Sequence, residues 1–169
     1  GLFEIFTQSI LPDIERSLGG LKGKRILVGE SMGGFNSLQL AFKTQLFQRA
    51  ALLCAPMAEI SPFSTQAEIL KFIQTSGAWK YYGKTDPNQV ISRVTALIGL
   101  VQSYYPSARD WKKGNPLDLA LNVRFETLPQ LYLAAGYYDP FVLYEGNQKF
   151  VEILANKGAS LEWRPQWGG

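Results

Sequence analysis

A β-forming run from Lys24 to Val28 passes without a linker through Gly29-Glu30-Ser31-Met32-Gly33 into a segment whose apolar residues, Phe35, Leu38, Phe42 and Leu46, recur at helical spacing. A strand that turns at once into a helix is the repeating step of a parallel sheet, because parallel neighbours need a crossover and cannot be joined by a hairpin. The step recurs. Arg49 to Cys54, Gln130 to Ala135 and Ser160 to Arg164 read as further strands, with helical patterns between them. The expectation is an α/β chain with four strands, near 24–28, 49–54, 130–135 and 160–164, adjacent in that order, all parallel and joined by right-handed crossovers.

The helical patterns fill in the rest. Phe3, Phe6, Ile10, Ile14 and Leu18 mark one face of a helix from Leu2 to Leu18, kinked at Pro12 and stopped by Gly19-Gly20. Val142 to Lys157 predicts a helix with Tyr144, Phe150, Val151 and Leu154 toward the sheet and Gly158 at its end. Between the second and third strands, from about 56 to 128, no strand is legible. Two helices are: one around Ala67 to Phe72, another opened by Asp86-Pro87 and carrying Val90, Val94, Leu97, Val101 and Tyr105. This stretch reads as a helical cap inserted into a single domain spanning 1–169.

Composition narrows the partners. The 169 residues are 46% apolar and 18% charged, a globular profile, and the net charge of +3 is spread without runs of like sign, so neither nucleic acid nor a polybasic membrane role is expected. No stretch approaches the ~20 apolar residues of a transmembrane helix. Cys54 is the single cysteine, which leaves no disulfide framework and no cysteine metal site. The chain starts Gly1-Leu2-Phe3, inside a helical pattern, and contains no histidine; both features suggest that it is a piece of a longer protein.

The chemistry concentrates at Gly29-Glu30-Ser31-Met32-Gly33, a G-x-S-x-G sequence set between a strand and a helix. Such a turn holds its serine in a strained backbone conformation with the hydroxyl raised above the sheet, and Gly29 and Gly33 are read as the positions where a Cβ would clash. The amide of Met32 then faces the oxyanion of a tetrahedral intermediate, where a donor is worth about 3–4 kcal/mol by analogy with other oxyanion holes. The competing reading is a tightly packed or anion-binding glycine turn, but the spacing matches neither a dinucleotide fingerprint nor a P-loop. Asp139 follows the third strand, either as the acid that orients a catalytic imidazole or as a turn residue capping the next helix. Trp79, Tyr81, Tyr82, Tyr104, Tyr105 and Trp111 either wall an acyl or aromatic ester pocket or form the cap's own core. Glu30 and Lys80 read as solvated or structural.

With Gly-Glu-Ser-Met-Gly-Gly-Phe at 29–35 and Leu-Pro-Gln-Leu-Tyr-Leu-Ala-Ala-Gly-Tyr-Tyr-Asp-Pro at 128–140, the chain resembles the putative-esterase group of α/β hydrolases. That group contains S-formylglutathione hydrolase, tributyrin-type, feruloyl and acetylxylan esterases, and the mycolyltransferases. Trp-Lys-Tyr-Tyr-Gly at 79–83, Asn-Pro-Leu-Asp-Leu-Ala at 115–120 and Asn147 to Phe150 add to the resemblance. It implies a partial α/β-hydrolase fold, truncated at both ends, with Ser31 as nucleophile and Asp139 as acid. It further implies a small-molecule ester or thioester substrate and no cofactor or metal. The family's histidine is expected within the first residues beyond Gly169, and the other oxyanion amide before Gly1. Acyl transfer by the same residues, or a binding or scaffold protein that keeps the fold without catalysis, are the alternatives. A homo-oligomer is compatible with any of these.

Overall fold

The computed structural model describes residues 2–20 and 23–168. Its four strands are β1 (Ile26–Glu30), β2 (Arg49–Leu53), β3 (Gln130–Gly136) and β4 (Leu161–Gln166). They pair in chain order, and every pairing is parallel. The register aligns Glu30 with Leu53, Leu53 with Ala134 and Ala134 with Arg164, so the carboxyl ends of all four strands share one edge. The expected strands therefore stand, in the expected order, with ends displaced by one or two residues. Pro165 lies within β4 without breaking it. The carbonyls of Ser160, just before β4, and of Gln166 accept from the amides of Leu131 and Tyr137, so the odd-numbered Pro165 turns its nitrogen away from β3.

Alternation along the strands builds the core. Ala50 and Leu52 of β2 and Leu131, Leu133 and Ala135 of β3 are buried. They meet Leu38 and Ala41 of α3 (Met32–Lys43) and Phe150 and Leu154 of α9 (Leu143–Asn156). The Phe42 and Phe150 rings approach to 5.7 Å between centroids. Full burial of side chains such as Leu133 and Phe150 contributes about 1.5–3 kcal/mol each.

Between β2 and β3 the chain forms five α-helices, α4 (Gln66–Thr75), α5 (Gly77–Tyr82), α6 (Pro87–Tyr104), α7 (Ala108–Gly114) and α8 (Pro116–Asn122), where the apolar spacing predicted two. Helices of six or seven residues are too short to show an apolar period. Their signals are caps instead: Ser76 accepts from the Trp79 amide and Ser107 from the Asp110 amide. Ile69, Ile73, Ala78, Val90, Val94 and Val142 give this layer its own core.

The N-terminal helix departs from expectation. It is α1 (Leu2–Ile5), a π-helical turn at Phe6–Ile10 and α2 (Leu11–Ser17). The Leu11 amide donates to the Phe6 carbonyl, the wider spacing that lets Pro12 follow without an N–H and without a ring clash. The apolar face expected along this helix is exposed at Phe3, Ile10, Ile14 and Leu18, and none of these four joins the core of the sheet. Arg25 ties α2 to the foot of β1 by a two-pronged bond to Glu15, at 2.6 and 2.8 Å.

Helix α9 presses on the segment after β2 so closely that a Cβ on Gly146 would sit 1.4 Å from the Met57 carbonyl oxygen. Gly146→Ala should cost about 3 kcal/mol in urea unfolding. Gly99→Ala, in the open middle of α6, should stabilise by about 1 kcal/mol in the same assay.

Candidate active site

Ser31 stands where β1 ends and α3 begins, with φ 51° and ψ −123°, a backbone conformation that costs an L-residue about 1–3 kcal/mol. Two bonds hold it there. Its amide donates to the Leu53 carbonyl at 2.8 Å, and its own carbonyl accepts from Phe35 at 3.1 Å. The side chain is exposed. Met32 opens α3, so its amide has no acceptor within the helix and points out of its N-terminus.

The glycines divide the work differently from the sequence reading. A Cβ on Gly29 would lie 2.2 Å from the Gly33 carbonyl oxygen, and one on Gly34 would lie 2.9 Å from the Ala55 Cβ, whereas one on Gly33 would meet open space. The correction concerns Gly33: its carbonyl does the crowding, and the need for a missing side chain falls on Gly29 and Gly34. An α-helical Gly33 directs its absent Cβ outward, while Gly34, one residue on, faces the sheet.

Asp139 lies three residues past β3, buried to 8% exposure. Its Oδ1 accepts from the Phe141 amide at 2.8 Å, its carbonyl accepts from Val142 at 2.8 Å, and Val142 takes a left-handed conformation at φ 57° to start α9. Burial pushes the Asp139 carboxyl above its usual range, opposed by the Phe141 and Leu143 amides and by Arg93, with Glu145 adding to the rise. Because β1, β2 and β3 are parallel and in register, Ser31 and Asp139 follow strand ends at the same sheet edge, on strands two spacings or ~10 Å apart. Cys54 leaves β2 between them at φ 46°. Burial, ahead of the opposing Gly136 amide, raises its thiol, which keeps it protonated near neutral pH. Past β4, the Tyr138 amide donates to the Gly168 carbonyl at 2.9 Å, so the chain beyond the last strand runs along the residue next to Asp139.

A cavity of about 510 Å³ opens beside the serine turn, between α3, α6 and the start of α9. Of the aromatics singled out from sequence, Tyr104, Tyr105 and Trp111 line it. Trp79 and Tyr82 pack into the helical layer instead, and Tyr81 stacks on Tyr138 at 4.6 Å. Glu30 and Lys80 are exposed.

Residues to which the sequence reading gave no role of their own hold this region together. Asn147, wholly buried, donates to the Ala55 and Leu143 carbonyls at 2.8 Å each. Gln39 donates to the Gly114 carbonyl at 2.7 Å, tying α3 to α7. Their signal was a polar residue on an otherwise apolar helix face. Among the described residues no three His, Cys, Asp or Glu side chains group to hold a metal, and no helix is long and apolar enough to cross a membrane.

The family described as "Esterase: Putative esterase" matches residues 3–162. Among solved structures, a hyperthermophilic esterase from the archaeon Pyrobaculum calidifontis superposes with a TM-score of 0.63 at 17% identity, over 95% of this chain and 48% of its own. A ferulic acid esterase gives 0.53 at 19%, over 98% and 52%, and the acylaminoacyl peptidase of Pyrococcus horikoshii 0.60 at 15%, over 99% and 23%. This chain thus spans from about a quarter to about half the length of the structures it resembles. At these identities the likeness is one of fold. No curated protein matches the chain.

The buried carboxyl of Asp139 carries a testable cost. An acid whose folded pKa is raised contributes stability that is full below its ordinary value of about 3.9 and lost as pH rises through the folded value. Asp139→Asn keeps an acceptor for the Phe141 amide without the charge. It should melt higher than the parent at pH 7, by on the order of 1 kcal/mol or about 2–4 °C, and the gain should vanish in melts below about pH 4.

Proposed function

Since the chain belongs to the putative-esterase family and has the α/β-hydrolase fold, we propose that it hydrolyses carboxylic esters, thioesters included, through an acyl-enzyme on Ser31. The observation that carries this reading is the strained Ser31 at the β1–α3 turn, exposed, with the Met32 amide beside it and Asp139 at the same sheet edge. In this mechanism Ser31 Oγ attacks the carbonyl carbon while a base takes its proton, and the resulting oxyanion accepts from the Met32 amide. Collapse expels the alcohol or thiol, which recovers the proton. Water then repeats the sequence on the acyl-serine and releases the acid.

The base must accept a proton near neutral pH and return it to the leaving group, the task of an imidazole, and none of the 169 residues is histidine. We assign it to a histidine just beyond Gly169. The bond from Tyr138 to Gly168 supports that assignment, since it carries the chain after β4 along the residue preceding Asp139. Asp139 then orients the imidazole and stabilises its charged form.

In the protein that carries this chain, a fluorophosphonate probe should label Ser31, and Ser31→Ala should abolish both labelling and ester turnover. Labelling that survives the substitution would remove Ser31 from the mechanism. The 169-residue chain assayed alone should turn over esters close to background, since loss of a triad member costs ~10⁴-fold or more in serine hydrolases. Robust turnover abolished by Ser31→Ala would show that the base lies within the chain.

A further inference from the structure

The cavity beside Ser31 has a composition that selects its occupant. We propose that it is an acyl chamber for a medium-length aliphatic chain, of the order of an octanoyl group, and that the chain-length preference is set by α6. This rests on the reading of Ser31 as the acyl carrier.

Three observations converge. First, the chamber is continuous with the reacting centre: Met32, next to Ser31, forms one wall, and Val142, three residues past Asp139, forms another. Second, no residue lining it is charged and most are apolar, so nothing there would neutralise a carboxylate on the acyl group. Third, its volume of about 510 Å³ is of the size that encloses a drug-sized ligand, and a formyl or acetyl group would leave most of it empty. The far wall is aliphatic. Helix α6 presents Val94, Leu97, Ile98 and Val101, spaced by three and four residues, so one helical face lies along the chamber's length. A chain anchored at Ser31 as an ester and extended past Met32 would run against that face, exchanging water for apolar contact at every methylene.

Each buried methylene is worth about fourfold in binding, so a chain that fills the chamber should outperform acetyl by far more than intrinsic reactivity allows. The test uses p-nitrophenyl acetate, butyrate, octanoate and dodecanoate with the protein that carries this chain. The expected result is that kcat/KM rises at least about a hundredfold from acetate to octanoate, below the roughly 4,000-fold that six fully buried methylenes would give, and falls again at dodecanoate. Val101→Trp, which fills the chamber, should cut the octanoate-to-acetate ratio at least about tenfold. Leu97→Trp, one turn earlier, serves the same purpose should Val101→Trp fail to fold. Leu100→Trp, exposed on the same helix and outside the chamber wall, should keep the parental ratio.

A second readout does not need catalysis. Octanamide titrated into the Ser31→Ala protein should perturb Trp111 fluorescence, and acetamide should not. If that binding appears and is lost in Ser31→Ala/Val101→Trp while the fluorophosphonate fails to label Ser31, the chamber stands and the acyl-carrier reading falls. If Ser31 is labelled but acetate is turned over as fast as octanoate, and Val101→Trp leaves the ratio unchanged, the chamber proposal is overturned.

Discussion

The segment Ala55 to Met57, just past β2, is clamped between two helices by contacts that leave no room for side chains, and the rest of the molecule hangs on that clamp. From one side Gly34 of α3 lies against Ala55, where an added Cβ would approach to 2.9 Å. From the other, Gly146 of α9 lies against the Met57 carbonyl, and Asn147 donates to the Ala55 carbonyl. Ala55, Pro56 and Met57 are all buried. Close packing of backbone on backbone is stiff, because no rotamer change can relieve it.

Two consequences follow from the clamp. It fixes how α3 leaves β1, and so the angle at which Ser31 and the Met32 amide are presented above the sheet. It also fixes where the chain departs into the helical layer. Met57 reaches the chamber wall from the clamp itself, opposite α6. The site and its chamber are therefore set by one junction, in which β2 contributes position and the flanking helices contribute the groups.

The electrostatics run against stability at the same edge. Asp139 is buried with its carboxyl raised, and the groups that ease its charge are the amides of Phe141 and Leu143, with Arg93 a smaller help. Cys54 is held as the neutral thiol. A carboxylate kept in a turn by amides, at the start of a helix, is fixed in direction without being neutralised. Maintaining a buried carboxylate in this way costs the fold stability.

The parallel sheet, its strand order and the serine turn were legible in the sequence because they rest on local signals: β-forming runs, apolar periods, and glycines set at fixed offsets around Ser31. Asp139 was legible by its place after the third strand, although both its readings, turn residue and orienting acid, began from the same position. Gly33 was misread, since sequence spacing cannot say whether a helical Cβ faces the sheet or the solvent, and three short helices were missed because six or seven residues carry no period. The apolar stripe on α1 and α2 was legible as a face but its exposure was not, because periodicity reports a face and not its partner. What the sequence by itself determined is the order of strands and the placement of Ser31 and Asp139 just past their carboxyl ends, each fixed within a few neighbouring residues. What the tertiary structure alone decided is the clamp at Ala55 to Met57, the roles of Gly34, Gly146 and Asn147, and which aromatics face the chamber. Those depend on contacts between residues some 20 to 90 positions apart, and such contacts exist only once the sheet has brought the helices together.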